Sequence, residues 1–168
     1  MLNVTVNTQK VQVPEGTTIL QAARQAGVTI PTLCNLEKHG AIGACRVCLV
    51  DVEGARTLVA ACSTPVTEGM VVRTNTTHAR NARRQVLELL LSEHDGNCQT
   101  CDRNGDCELR ALADAMGVTG LPYEGAKAKK KVDDSTPALV RDNAKCVKCR
   151  RCVTVCGEVQ GVGALQPQ

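Results

Sequence analysis

The sequence predicts an α+β fold built as small modules in series, and three observations carry that prediction. Polar and apolar residues alternate over 2–7 and 9–13, the period of half-buried strands, and short apolar runs at 47–52, 57–61 and 70–74 read as further strands. Two other stretches, opening at Thr18 and Thr76, repeat their apolar residues at three- and four-residue intervals, the period of a helix buried on one face. Eleven cysteines fall in three groups of tight spacing, while Tyr123 is the one aromatic residue and Phe and Trp are absent. Cores of Val, Leu and Ala in modules of this size usually need reinforcement by disulfides or metals.

The first two strands meet at an Asn7-Thr8 turn, and Pro14-Glu15-Gly16 closes the hairpin. Thr18 and Gln21 form a capping-box pair, since each side chain can satisfy a free backbone N–H at a helix start. The helix behind it carries Ile19, Ala22, Ala23 and Ala26 on one face, with Gly27 as the residue that ends it. Hairpin, helix and three later strands outline a β-grasp, and the small residues at 22, 23 and 26 allow the helix to lie close on the sheet. From Thr76 to about residue 93, Ala79, Ala82, Val86, Leu87, Leu90 and Leu91 mark a second helix. Its charges oppose the macrodipole, with Arg80, Arg83 and Arg84 early and Glu88 and Glu93 late. Either these arginines are solvated, or they meet another subunit or offset a nearby negative charge. A short helix is expected from Glu108 to Met116, ending at Gly117, and residues 118–137 read as loop or linker.

The cysteine spacings carry the chemistry. Cys34, Cys45, Cys48 and Cys62 form C-x10-C-x2-C-x13-C, with a loop punctuated by Gly40 and Gly43 and a fourth cysteine returned by a hairpin. This layout suits a 2Fe–2S cluster, which needs a loop wrapped round the metal and one thiolate brought back from a distance. His94, Cys98, Cys101 and Cys107 form H-x3-C-x2-C-x5-C. That donor set also describes a structural zinc site, but its place between two iron–sulfur patterns favours a 4Fe–4S cluster with a histidine ligand. Cys146, Cys149, Cys152 and Cys156 form C-x2-C-x2-C-x3-C, the bacterial ferredoxin run with Gly157 in place of the usual proline. In two-cluster ferredoxins the fourth cysteine of such a run serves the other cluster. Cys156 is therefore expected to ligate a cluster completed beyond Gln168, which reads the chain as a fragment and leaves the third cluster without its fourth ligand. A self-contained third cluster that uses Cys156 is the alternative.

Disulfides are the competing use of so many cysteines. They require an oxidising compartment, whereas MLNVTVNTQK lacks the charged and apolar regions of a secretory signal, and an odd cysteine count fits full pairing poorly. No apolar run approaches the about 18 residues of a membrane span. Net charge is +3 and unevenly placed, with nine Lys/Arg and three Asp/Glu in residues 127–151. Those lysines lack interleaved aromatics, so nucleic acid is not an expected partner. No GxGxxG follows a strand and no GxxxxGK[ST] occurs, so no nucleotide or flavin fold is predicted, and no catalytic residue stands outside the metal patterns.

The three motifs in this order resemble the N-terminal part of the large iron–sulfur subunit of respiratory complex I and its relatives. The stretches IPTLCNLEKHGAIGACRVCLVDVEG and RDNAKCVKCRRCVTVCGEVQGVGAL most resemble the catalytic subunits of multimeric NAD(P)-linked or electron-bifurcating FeFe-hydrogenases. The resemblance implies a β-grasp 2Fe–2S domain over 1–76 and a small helical His/Cys3 4Fe–4S domain over 77–120. It further implies a linker over 121–140 and the first half of a two-cluster ferredoxin domain over 141–168. It also implies a cytoplasmic electron relay between a flavin/NAD(P) subunit, or a soluble ferredoxin, and an H-cluster held elsewhere. A thioredoxin-like iron–sulfur subunit is an expected partner. The same relay in a formate dehydrogenase, a nickel–iron hydrogenase diaphorase or complex I is the alternative, and a zinc-binding structural protein the bland one.

Overall fold

A computed structural model of the protein describes residues 1–123 and 131–167. Two compact units divide it, one made of residues 1–83 with 149–168 and the other of residues 84–148.

In the first unit, β1 (Leu2–Val6) and β2 (Gln9–Val13) pair antiparallel from Leu2↔Val13 to Val6↔Gln9. Asn7 makes the turn with a positive φ of 55°, a conformation that asparagine tolerates better than most residues. Strands β3 (Leu49–Val52), β4 (Val59–Ala60) and β5 (Val71–Arg73) complete a five-stranded sheet in the order β2-β1-β5-β3-β4, in which β1 and β5 are parallel. One helix, α1 (Ile19–Gln25), packs on this sheet, so the expected β-grasp is present. Ile19, Ala22 and Ala23 have no exposed surface, and Leu20, absent from the face expected for this helix, is buried with them. Val4, Val6, Val13, Val50 and Val72 supply the opposing layer, so the core does without aromatic anchors.

The start of α1 ties this core to the metal region. Thr18 and Gln21 form the reciprocal capping box, with Thr18 N–H donating to Gln21 Oε1 at 2.9 Å and Gln21 N–H to Thr18 Oγ1 at 3.3 Å. Two further first-turn donors, Ile19 N–H and Leu20 N–H, bond Thr64 O and Ala61 O at 2.9 Å each. Helix starts leave such groups unsatisfied, and here the chain flanking Cys62 satisfies them. Replacing Thr18 by Ala is expected to cost about 1 kcal/mol. The midpoint of thermal loss of the visible cluster absorbance should then fall by about 4–8 °C.

Helix α2 (Thr77–Ser92) begins in the first unit, where Thr76 Oγ1 accepts from Ala79 N–H at 3.1 Å and donates to Asp51 Oδ2 at 2.7 Å. In the second unit, α2 continues from Arg84 and is followed by a 3₁₀ turn at Cys98–Thr100 and by α3 (Glu108–Ala115). Leu87, Leu109 and Ala113 are buried there. Part of the expected linker lies outside the described residues, but the remainder corrects the loop reading. Strands β6 (Val132–Thr136) and β7 (Leu139–Asp142) form a hairpin, with Thr136 facing Leu139 across a two-residue Pro137-Ala138 turn. Its apolar side chains are exposed, so there is no inward–outward pattern to announce the strands, and Pro137 sits in the turn where it costs no ladder bond. Early in the first unit's second segment, α4 (Arg151–Thr154) runs into a π-helical turn at Val155–Val159, local structure that the sequence reading did not assign. Among the described residues no helix is long and apolar enough to cross a membrane.

Candidate metal centres

Four cysteines of the first unit converge because the sheet returns them to one place. Cys48 directly precedes β3 and Cys62 closely follows β4, while Leu49↔Ala60 and Val50↔Val59 fix the hairpin between them. Ala61 N–H donates to Cys48 O at 3.1 Å, which locks the two cysteine-bearing segments side by side. The loop that brings Cys34 and Cys45 together turns at Gly43 (φ 68°) and at Arg46 (φ 56°). An arginine in this left-handed region is uncommon, and its φ aims the next peptide back into the loop, where Val47 N–H reaches Cys45 Sγ at 3.5 Å.

All four cysteines are buried, and each is free of a disulfide. The Cys34 sulfur lies within hydrogen-bonding reach of the Cys45 and Cys62 thiols, and the Cys62 thiol reaches Cys48 as well. These contacts divide the thiols by acidity. Hydrogen bonds from Cys45 and then Cys62 hold Cys34 well below its usual range, and a bond from Cys62 lowers Cys48. The two donors move the other way: Cys45 is raised by Cys34 and then by burial, and Cys62 by Cys34 and then Cys48. Backbone N–H groups of Cys45 and Ala44 also face the Cys34 sulfur, and those of Val47 and Leu33 face Cys45. Buried thiols surrounded by N–H donors fit thiolate ligands, whose negative charge those donors stabilise.

Among the described residues no three His, Cys, Asp or Glu side chains meet about a single point as one metal ion requires. A cluster does not ask for that, because its protein ligands are shared out over several irons and sulfide supplies the remaining coordination.

In the second unit, His94 follows the end of α2, and Cys98, Cys101 and Cys107 lie along successive tight turns. Cys101 N–H bonds Cys98 O at 3.3 Å and Asn104 N–H bonds Cys101 O at 2.9 Å. Gly96 and Gly105 take φ of 75° and 92° there, which residues with a Cβ rarely adopt. Cys98 is exposed, Cys101 and Cys107 are half-buried, and all three are free. The His94 ring is held at both nitrogens: Nδ1 accepts from Gly96 N–H at 3.1 Å, and Nε2 lies 3.2 Å from Lys145 O. With Nδ1 accepting, Nε2 carries the proton that Lys145 O receives. Ligation through Nε2 would exchange that carbonyl for iron.

The third run is described by its local backbone. Lys148 and Arg150 take φ of 53° and 62°, so the chain reverses sharply between Cys146 and Cys152. Lys148 N–H reaches Cys146 Sγ at 3.4 Å. Cys146 and Cys152 are exposed, Cys149 is half-buried and Cys156 is buried in the π-helical turn. Burial thus separates Cys156 from its neighbours in sequence.

Comparison with known proteins agrees with this geometry. Residues 1–77 match the family model described as a 2Fe-2S iron-sulfur cluster binding domain. Residues 83–121 match the NADH-ubiquinone oxidoreductase-G iron-sulfur binding region. A solved NAD+-reducing [NiFe]-hydrogenase contains a chain that superimposes with a TM-score of 0.90 at 33% identity, over 98% of this chain and 69% of that one. The chain belongs with that hydrogenase chain, and it carries the NADH-ubiquinone oxidoreductase-G iron-sulfur binding region over residues 83–121. Similar chains include the NADP-reducing hydrogenase subunit HndD of Solidesulfovibrio fructosivorans, 46% identical over 98% of this chain and 29% of that protein. The mitochondrial NADH-ubiquinone oxidoreductase 78 kDa subunit of Candida albicans is 38% identical over 95% of this chain and 22% of its own length. The chain thus spans less than a third of these two relatives. The family models imply one 2Fe–2S and one 4Fe–4S cluster, and the relatives are named as subunits of larger oxidoreductases. The N–H donors of Leu33, Ala44 and Val47 were not legible as parts of such a site, because backbone donors leave no trace in residue type.

Proposed function

We propose that this chain is the electron relay of an NAD(P)-linked FeFe-hydrogenase, carrying electrons between a flavin/NAD(P) subunit and a hydrogen-activating centre. The observation that carries the reading is the buried, disulfide-free set Cys34, Cys45, Cys48 and Cys62 with its sulfurs in mutual reach. These four hold the 2Fe–2S cluster in the proposal, and His94, Cys98, Cys101 and Cys107 hold the 4Fe–4S cluster. Cys146, Cys149 and Cys152 begin a further 4Fe–4S site, and Cys156 serves a second cluster of that ferredoxin-like segment. Such clusters supply one-electron chemistry at potentials set by ligand type, burial and hydrogen bonds to sulfur. The chain's own work is to hold the four sulfurs close together, exclude water from Cys34 to Cys62, and direct N–H groups at the sulfurs.

A flavin/NAD(P)-binding subunit and a thioredoxin-like iron–sulfur subunit are the proposed partners, in a soluble cytoplasmic complex that ferredoxin also feeds. The relationship to HndD, named as a subunit of an NADP-reducing hydrogenase, supports this reading. A second reading, the same relay in a nickel–iron hydrogenase or an NADH dehydrogenase, draws on the 0.90 TM-score to the NAD+-reducing [NiFe]-hydrogenase. Anaerobic metal analysis of the chain tests the relay itself. About ten iron and ten sulfide per chain are expected for three clusters. Zinc without acid-labile sulfide would exclude the relay. Hydrogen-dependent NAD(P) reduction by the native complex, with iron but no nickel, separates the first reading from the second.

A further inference from the structure

Arg83 stands apart from the other early arginines of α2. Arg80 is exposed and turns back on its own helix start, with Nη1 donating to Asn75 O at 3.1 Å, and Arg84 pairs with Glu88 at 3.2 Å. Arg83 points inward and is 5% exposed. Its Nε donates to Leu49 O at 2.7 Å, the carbonyl of the residue that follows Cys48. Its Nη2 is buried and meets no hydrogen-bond partner among the described residues. No carboxylate among them pairs with Arg83, and Asp51 on the same strand is engaged by Thr76 at 2.7 Å.

A guanidinium keeps its proton in a protein, so this is a buried positive charge with an idle donor. Leaving such a group buried is strongly unfavourable unless an anion answers it. Burial lowers its proton affinity, and the negative charge of the Cys48 thiolate acts against that, so the nearby anion is a cysteine of the centre itself. A two-iron cluster on four thiolates is anionic when oxidised and gains a further negative charge on accepting an electron. A fixed cation beside it favours the reduced state more than the oxidised one.

Resting on the assignment of Cys34, Cys45, Cys48 and Cys62 to a 2Fe–2S cluster, we propose that Arg83 is that cluster's counter-charge: its Nη2 donates to the sulfur side near Cys48 and raises the reduction potential. The step it biases is the uptake of one electron by the cluster from a low-potential one-electron donor, with no proton transferred. Arg83 is thus a tuning residue built into the junction of sheet and helix.

The test is a mediated redox titration of the intact, cluster-loaded protein. It follows the slowly relaxing 2Fe–2S EPR signal at a temperature where four-iron signals have broadened away. Arg83→Gln is expected to lower the equilibrium constant for reduction at least tenfold, about 59 mV for one electron. Arg83→Lys, which keeps the charge, should stay within about threefold of the parent. Arg80→Gln, an equal change in net charge at an exposed position, should do likewise because solvent and salt screen it. A shift under threefold in Arg83→Gln, or equal shifts in the Gln and Lys variants, would overturn the proposal.

A measurement on the unsubstituted protein covers the case in which Arg83→Gln fails to load its cluster. With arginine labelled by ¹⁵N in the guanidino group, pulsed EPR of the reduced centre should show coupling to a guanidinium nitrogen. Its absence overturns the proposal. If the unsubstituted protein shows no 2Fe–2S signal, the ligand assignment has failed rather than the role of Arg83.

Discussion

Cys62→Ala is expected to abolish the 2Fe–2S EPR signal and to lower the iron and sulfide content by about two each per chain. The four-iron signal should persist, because His94, Cys98, Cys101 and Cys107 belong to a different unit. The expected loss is close to complete because the backbone beside Cys62 is immobilised. Leu20 N–H holds Ala61 O, Ile19 N–H holds Thr64 O, and Ala61 N–H holds Cys48 O. A loop fixed at three points leaves little freedom for another residue to move into the vacated position. The cysteine is also part of the hydrophobic core with Cys48, Ala61 and Val66, so the substitution removes packing as well as a ligand. Iron and sulfide analysis with EPR on anaerobically prepared protein checks it. Full iron content in the variant would show that Cys62 is not a ligand.

His94→Ala is expected to remove or distort the four-iron signal while the 2Fe–2S signal and its potential stay as they were. One iron of that cluster would lose its protein ligand, and the three cysteines lie on exposed or half-exposed turns that do little to retain it. His94→Cys should restore a four-iron cluster with a lower potential. The sign follows from charge: a thiolate brings a negative charge that a neutral imidazole does not, and this disfavours the added electron. The result also decides how the geometry at His94 is to be understood. The ring nitrogens are engaged by Gly96 N–H and Lys145 O, so ligation demands that one bond be given up. Unchanged iron content and EPR in His94→Ala would mean that the histidine is a turn-holding residue and the fourth ligand lies elsewhere.

Much of the first unit was legible because its signals are local. Thr18 and Gln21 stand three residues apart and can satisfy each other wherever the rest of the chain lies, so the capping box followed from sequence. The alternation of 2–13 set the first hairpin in the same way, and the expected helix from Thr76 to about residue 93 is observed as Thr77–Ser92. The hairpin at 132–142 was missed for the opposite reason. Val132, Leu139 and Val140 all stand exposed, so neither face is consistently apolar, and the Pro137-Ala138 turn lacks the Asn-Gly or Asp-Gly signature.

The three arginines of α2 show where such reading ends. Spacing placed Arg80, Arg83 and Arg84 early on one helix and left open whether they were solvated or faced a charge. Only the folded chain brings Arg83 to Leu49 O beside Cys48, while Arg80 and Arg84 are met by groups on or next to their own helix.

By itself the sequence determined the donor types, their three spacings, the β-grasp order and the resemblance to the large iron–sulfur chain of complex I, because ligand chemistry and helical or strand periods are written in neighbouring residues. The tertiary structure decided which sulfurs lie within reach of one another, which backbone N–H groups face them, how His94 is held, that Cys156 is buried while Cys152 is not, and which arginine turns inward. These depend on burial and on partners that the chain brings together only by folding, at separations such as the 34 residues between Leu49 and Arg83.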